Sequence, residues 1–458
     1  MKPSRRELLS GMSAIALAPG CNKPKRNITA SDSGTTDTGT PAAAPAPERS
    51  SEPDTSWEPE GFIDEDRFPS GIQVGDVGPN SAIVSIWMTT DEAVLRQAEA
   101  VGAEWIEARE PTVVVRDGNR ARIELTGLAA DTPYCIFASD SEGRSRVTRF
   151  RTALGSDGWR QLTIGATACL KRNQPWANMS HVAATRPDLF MLLGDTVYAD
   201  HANTLEEYQA YWAAALTTQG LKDVSALTSL IATWDDHEVM DSFEGLNTPI
   251  ERHEMALEAF REGIPQREGE DGGIWRKLSW GKTADIFVLD SRGERDGESQ
   301  YLSPAQMDWL KQGLRDSTAR FKLIMNSVPI TDYTPIFGAA LESDRWQGYP
   351  AQRGELLDHI VANETEGVLW ITGDFHCCTA SRVDPEGGVA ADQWEIMVGP
   401  GGSNLNIVAD LVEPSTQFPL MFGAWASNLI HLDPGTGQVR VQWVGDDGEV
   451  IEQFEIQL

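Results

Sequence analysis

The sequence predicts a mixed α/β protein in which a β-sandwich precedes a larger domain of alternating strands and helices. Residues 60–153 contain short alternating β runs separated by turn residues, which is typical of a sandwich. Residues 158–458 contain apolar strands separated by helical patterns, which favours an α/β sheet. A chain of 458 residues is long enough to fold into two or three domains.

The composition argues against a nucleic-acid-binding protein. Hydrophobic residues make up 40% of the chain, which suits a soluble globular protein. The 69 acidic and 38 basic residues give a formal charge of −31. This charge repels polyanions, and tight binding of nucleic acid needs lysines and arginines that neutralise phosphates. A small phosphate ester is still acceptable as a ligand, because bound cations can reverse the local field.

The first 21 residues predict an export signal. Arg5 and Arg6 precede an apolar run that is too short to span a bilayer. The paired arginines resemble a twin-arginine signal, which implies export of a folded protein. Cys21 resembles a bacterial lipoprotein cleavage site, and the alternative is an ordinary cleaved signal that contains a cysteine. We therefore expect a periplasmic or cell-surface protein, which a lipid on Cys21 would attach to a membrane.

Residues 22–59 predict a flexible linker. They are mainly small, polar or proline residues with almost no large apolar side chain, so burial cannot offset the entropy lost on ordering. In the sandwich that follows, residues 82–87 and 112–115 alternate as strands do, and residues 128–134 resemble the tyrosine corner of a fibronectin type III-like domain. We assign this domain no chemistry and expect it to act as a support or lid.

Four apolar strands of the larger domain are each followed at once by Cys, Asp or His. The strands are predicted at residues 161–166, 187–193, 229–234 and 367–372. The side chains that follow them are Cys169, Asp195, Asp236 with His237, and Asp374 with His376. Because ligands bind beyond the carboxyl ends of strands in open α/β sheets, we expect these side chains to converge. Cys135, Cys377 and Cys378 are instead expected to pack in the core.

Helices are predicted between these strands. Leu205, Tyr208, Trp212 and Ala215 share one helical face. Residues 303–306 read as a capping box with proline at the first helical position.

The three converging acids predict bound cations. Two bare carboxylates about 4 Å apart repel by about 4 kcal/mol at an effective dielectric of about 20. We expect no lysine near these acids to offset that repulsion. Oxygen ligands suit Ca2+, Mg2+ or Mn2+, whereas His, Cys and phenolate suit a trivalent iron or a transition metal, so a mixed metal pair or cluster is expected.

These motifs resemble the PhoD-type alkaline phosphatase/phosphodiesterases, a group within the calcineurin-like metallophosphoesterases. The resemblance covers nearly all of the chain beyond the linker. It rests on the sandwich and on five motifs: Gly194-Asp195-x-x-Tyr198, Trp234-Asp235-Asp236-His237-Glu238, Leu289-Asp290-Ser291-Arg292, residues 346–353 and Gly373-Asp374-x-His376. It implies a four-layer α/β/β/α domain over residues 158–458, preceded by a fibronectin type III-like sandwich.

The resemblance also implies a role for each site residue. The residues that would hold Fe3+ are Cys169, Tyr198 and His376, with Asp195 bridging to a Ca2+ that Asp236 and Asp374 would bind. His237 would stabilise the transition state or protonate the leaving alkoxide. Arg292 is a candidate for holding the substrate phosphate, and the alternative is a salt bridge to a nearby acid.

The expected protein is therefore a monomeric, exported phosphoesterase that hydrolyses phosphate mono- or diesters with a metal-activated hydroxide. Two alternatives stay open. The same site could serve a phospholipase D-like or phosphotriester-cleaving diesterase. The chain could also be a non-catalytic surface module, which missing ligands would indicate, but all seven ligand and catalytic positions hold competent residues.

Overall fold

The computed structural model describes the backbone of residues 27–29 and, in full, residues 44–50, 52–53, 57–107, 109–171, 174–269, 272–337 and 344–458. The predicted export signal and Cys21 lie outside these residues. Within the described part of the chain, every helix is too short or too polar to cross a membrane.

The sandwich consists of a three-stranded and a five-stranded sheet around one core. The first sheet contains β2 (Ile72–Gly75), β3 (Ser81–Trp87) and β7 (Arg120–Thr126). The second contains β4 (Glu92–Val101), β5 (Glu104–Glu107), β6 (Thr112–Val115), β8 (Pro133–Ser139) and β9 (Thr148–Arg151). The tyrosine corner is confirmed, because the Tyr134 hydroxyl accepts a hydrogen bond from the Ala129 backbone N–H at 2.8 Å.

Two further sheets form the centre of the larger domain. The first has the order β1-β22-β21-β20-β10-β11-β12 and continues into β2 of the sandwich. Its strands are β1 (Asn27–Thr29), β10 (Leu162–Thr167), β11 (Leu189–Leu193), β12 (Leu230–Thr233), β20 (Ala426–Asp433), β21 (Gln438–Gly445) and β22 (Val450–Gln457). The second, in the order β13-β14-β15-β16-β18-β17-β19, contains β13 (Arg276–Trp280), β14 (Ala284–Val288), β15 (Phe321–Met325), β16 (Val368–Thr372), β17 (Cys378–Arg382), β18 (Trp394–Met397) and β19 (Leu420–Phe422).

Helices cover the outer faces of the two sheets, which gives the implied four layers. The first sheet packs against α1 (Ala177–Ala184), α2 (Leu205–Leu216), α3 (Gln219–Leu227) and α4 (Ile250–Gly263). The second sheet packs against α5 (Pro304–Asp316) and α7 (Pro350–Ala362), and α6 (Thr334–Phe337) is a single short turn. Side chains from the inner faces of both sheets form the central core, so the α/β/β/α architecture is confirmed.

Local sequence signals explain the buried face of one helix and the start of another. In α2 the predicted face is largely buried, with Tyr208 and Trp212 at 0% exposure. At α5 the Ser303 hydroxyl accepts a hydrogen bond from the Gln306 backbone N–H at 3.2 Å. Only this half of the predicted capping box forms, because the Gln306 amide instead bonds to the Asp290 backbone at 2.9 and 3.1 Å. That contact ties the helix to the end of β14.

The end of the predicted linker contacts the folded domains. The Ala46 backbone N–H donates to Asp433 Oδ1 at 2.8 Å, and Arg49 Nη1 donates to the Arg186 carbonyl at 2.5 Å. Asn27–Thr29 adds a strand beside β22. Hydrogen bonds therefore hold parts of the predicted flexible linker against the folded domains. Composition alone does not reveal these contacts.

A buried ion pair joins the sandwich to the larger domain. Arg276 on β13 donates to Asp76 Oδ2 through Nε at 2.7 Å and to Oδ1 through Nη2 at 2.8 Å. The Arg267 backbone N–H also donates to Asp76 Oδ2, at 2.7 Å. Asp76 follows Gly75, which pairs with Leu230 at the amino end of β12. Since the predicted site lies beyond the carboxyl end of β12, this interface makes the sandwich a support.

We expect Asp76→Asn to lower the free energy of unfolding by about 3 kcal/mol, because it leaves the Arg276 guanidinium buried without its counter-charge. Asparagine tolerates the positive φ of 44° at this position, so the backbone is not disturbed. Chemical denaturation followed by circular dichroism measures the change. The matched control is Asp91→Asn, whose ion pair with Arg116 is exposed and should not affect the unfolding midpoint. Equal effects of the two substitutions would contradict this account of the interface.

Candidate metal centre

The side chains predicted to converge lie together beyond the strand ends. Two groups of ligand atoms form, and within each group all atoms lie within 4.8 Å of one another. One group is Cys169, Asp195 and His376, and the other is Asp195, Asp236 and His237. Asp195 belongs to both groups and therefore lies between them. The residues come from β10, β11 and β12 of the first sheet and β16 of the second, so the site spans both sheets.

Of the two other predicted ligands, Tyr198 lies beside the first group, whereas Asp374 belongs to neither group. The Tyr198 hydroxyl donates to Asp195 Oδ2 at 2.9 Å and lies 3.5 Å from His376 Nε2 and 3.3 Å from Ser403 Oγ. Burial raises the pKa of the Cys169 thiol, and the nearby charges of Asp195 and Asp374 raise it further. Tyr198 thus lies beside the first group. Asp374 lies close enough to Cys169 to act on its thiol electrostatically.

The backbone at the site adopts a conformation that side-chain-bearing residues rarely occupy. The φ angles are 57° at Cys169, 55° at Asp195, 71° at Asp374 and 55° at His376. Such left-handed conformations cost on the order of 1 kcal/mol or more each and persist only where the surrounding structure enforces them. Gly194 is required next to Asp195, because a Cβ there would lie 2.7 Å from the Asp235 Cβ.

Glu238 holds two of the site loops together. Its Oε2 accepts hydrogen bonds from the backbone N–H groups of Asp195 at 3.0 Å and Asp235 at 2.9 Å. Its Oε1 accepts from the Thr196 N–H at 2.5 Å. One carboxylate therefore fixes the loop after β11 against the loop after β12. Glu238 belongs to the Trp234–Glu238 motif, whose spacing alone does not indicate this role.

His237 is oriented by a residue that the sequence analysis missed. Its Nδ1 lies 2.6 Å from Asp200 Oδ1, and its ring lies 4.1 Å from the Tyr198 ring, centroid to centroid. Burial lowers the pKa of His237, but the charges of Asp236, Asp195 and Asp200 outweigh burial and raise the pKa to about 10. The only signal for Asp200 in the sequence is its position two residues after Tyr198.

Arg292 lies in an ion-pair network beneath the site. It is fully buried, and its Nε donates to Asp235 Oδ1 at 2.6 Å. Its Nη1 pairs with Asp344, and its Nη2 lies 3.9 Å from Asp236 Oδ1. This geometry is that of the salt-bridge alternative and gives no support to Arg292 as a phosphate ligand. The physical reason is that the buried Asp235 carboxylate needs a counter-charge in the interior.

The charge balance of the site fits bound cations. Burial raises the pKa of Asp195 to about 8, with His237 opposing the shift and Asp236, Asp235 and Asp374 adding to it. Oδ1 of Asp195 is buried and has no hydrogen-bond partner among the described residues. Cations at this point would lower the pKa values of the acids by supplying positive charge. The sulfur, nitrogen and oxygen donors present are those that such ions bind.

The expectation that no lysine lies near the acids is wrong. Lys171 follows Cys169 by two residues, and its Nζ lies 4.9 Å from the centroid of the Tyr198 ring. Its side chain is exposed at the mouth of the site. The motif positions could not reveal this contact, because Lys171 belongs to none of the motifs considered.

Much of this chain is similar to known proteins. Residues 164–418, more than half of the chain, match the family model described as PhoD-like phosphatase. The chain is similar to alkaline phosphatase D of Bacillus subtilis (strain 168), with 24% identity over 388 residues that cover 69% of this chain and 65% of that protein. The chain thus spans slightly less than two thirds of the length of that curated relative.

Two solved structures share the fold. One, titled "Structure of PhoD", gives a TM-score of 0.72 at 20% identity and covers 85% of this chain and 87% of that chain. The other is a purple acid phosphatase from yellow lupin (Lupinus luteus) seeds, with a TM-score of 0.63 at 10% identity, covering 85% of this chain and 74% of that one. The match of the family model over residues 164–418 shows that this chain belongs to the PhoD-like phosphatase family.

Proposed function

We propose that the chain is a metal-dependent phosphoesterase that hydrolyses phosphate mono- or diesters. The observation that carries this proposal is that Asp195 lies close both to Cys169 with His376 and to Asp236 with His237. A shared carboxylate between two such groups is suited to bridging a pair of ions. The names of the similar proteins, alkaline phosphatase D and purple acid phosphatase, support the same reaction class.

The donor chemistry supports different ions in the two groups. The sulfur, phenol oxygen and imidazole nitrogen of Cys169, Tyr198 and His376 would hold Fe3+. The carboxylates of Asp236 and Asp374 would hold Ca2+, with Asp195 shared between the ions. When bound, the ions supply positive charge that activates water and neutralises the phosphate oxygens.

The protein side chains supply orientation and a proton. The Asp200 carboxylate engages Nδ1 of His237, so Nε2 is the ring nitrogen that would act on a substrate. A protonated His237 can donate from Nε2 to the oxygen of the leaving alkoxide. The Ser242 backbone N–H donates to Asp236 Oδ2 at 2.6 Å, which fixes the orientation of that carboxylate.

We also propose that the enzyme is exported and acts in the periplasm or at the cell surface. The paired Arg5 and Arg6 before an apolar run, and Cys21 after it, support this location. Replacing both arginines with lysine should retain the protein in the cytoplasm, as measured by cell fractionation and immunoblotting. An unchanged distribution would rule out the twin-arginine route.

We expect Asp195→Asn to lower kcat by at least about 100-fold, because it weakens the contact that both metal groups share. Metal analysis should show reduced metal content, whereas circular dichroism should show an intact fold. His237→Asn should lower kcat while keeping the metals, because it removes only the proton donor. Retained turnover in Asp195→Asn would remove this residue from the mechanism, and metal loss in His237→Asn would make His237 a ligand.

Purified protein should show a visible charge-transfer band from Tyr198 bound to Fe3+, and Tyr198→Phe should abolish it. The band requires a phenolate oxygen on the ion, which phenylalanine lacks. The matched control is Tyr211→Phe, on the exposed side of α2, which should leave the absorption spectrum unchanged. A colourless, iron-free and active wild-type enzyme would refute the iron assignment.

A further inference from the structure

We propose that Lys171 is a substrate-binding residue, whose ammonium binds a peripheral oxygen of the phosphoryl group and favours doubly charged monoesters over singly charged diesters. This inference rests on the proposed phosphoesterase function. It adds a substrate preference to that function and assigns it to one residue.

The backbone next to Lys171 is attached to a loop of the candidate site. The Leu170 backbone N–H donates to the Asp195 carbonyl at 2.8 Å, so the chain just before Lys171 is held to the loop that carries Asp195. From there the ammonium reaches 4.9 Å above the Tyr198 ring. A cation over an aromatic face is attracted by the ring quadrupole, which holds the lysine near the site without neutralising it.

The charge of Lys171 is available to a ligand. Four other lysines of the chain, Lys222, Lys277, Lys282 and Lys311, pair with carboxylates. Within the described residues, Lys171 forms no ion pair and no hydrogen bond through its ammonium group. The acids nearby are buried at the metal centre, whereas Lys171 is exposed. The chain has a formal charge of −31, so acidic partners for a lysine are abundant. An exposed lysine beside this site that pairs with no acid among the described residues is therefore unusual.

Physical chemistry links this cation to phosphate recognition. An ammonium offers three donors on a flexible stem and forms charge-assisted hydrogen bonds with phosphate oxygens. Its Coulomb attraction to a monoester dianion is about twice its attraction to a diester monoanion at the same distance. Arg292 differs from Lys171 in being fully buried and paired with acids.

The test compares one monoester with one diester that has the same leaving group, nitrophenyl phosphate and bis-nitrophenyl phosphate. Lys171→Gln should raise KM for the monoester about tenfold and KM for the diester about threefold, with kcat nearly unchanged. Lys171→Arg should restore most of the affinity. The matched control is Lys282→Gln, an exposed lysine paired with Asp157 far from the metal centre, which should change neither KM.

Inorganic phosphate provides a second readout that needs no turnover. Its affinity for the metal-loaded protein, measured by isothermal titration calorimetry, should fall about tenfold in Lys171→Gln. Unchanged phosphate affinity would overturn the proposal. An equal loss of kcat for both esters, with a shifted visible band, would also overturn it, because Lys171 would then act only through Tyr198. A metal-loaded wild type that hydrolyses neither ester would refute the proposed function, while the calorimetry would still test Lys171.

Discussion

The repulsion between buried carboxylates is the constraint on which the rest of the structure depends. Asp195, Asp236 and Asp374 follow three different strands, and the fold brings them to one point inside the protein. Burial and the neighbouring acids disfavour the charged form of Asp195, and bound cations would offset both effects. The sandwich, the two stacked sheets and the loop contacts form the scaffold that holds these groups in place.

That scaffold acts mainly through the backbone. Four site residues adopt left-handed conformations, and Glu238 ties two of the loops through three backbone N–H groups. A loop with ordinary φ angles would direct these side chains elsewhere. The conformational strain is therefore part of how the ligands are presented, and the packed sheets on either side supply the rigidity that maintains it.

The sequence was sufficient for the strands, the helix faces and the convergence of most candidate site residues, because each depends on a local pattern. Apolar runs such as Leu189–Leu193 predict a buried strand, and the residue that follows must lie at the carboxyl end of that strand. The contacts of Asp200, Glu238 and Lys171 depend on how separate loops turn, which local patterns do not encode. Arg292 was ambiguous for a chemical reason, since a guanidinium binds a carboxylate and a phosphate with the same geometry.

The positively charged side chains at the site differ in how deeply they are buried. Arg292 is fully buried, where it offsets Asp235. Asp195 is also buried, and burial together with the neighbouring acids raises the pKa of its carboxyl. Lys171 is exposed above Tyr198 and pairs with no acid among the residues that the structure describes. A phosphate entering this acidic protein therefore meets a cation first at the surface, and the proposed ions offset the carboxylates behind it.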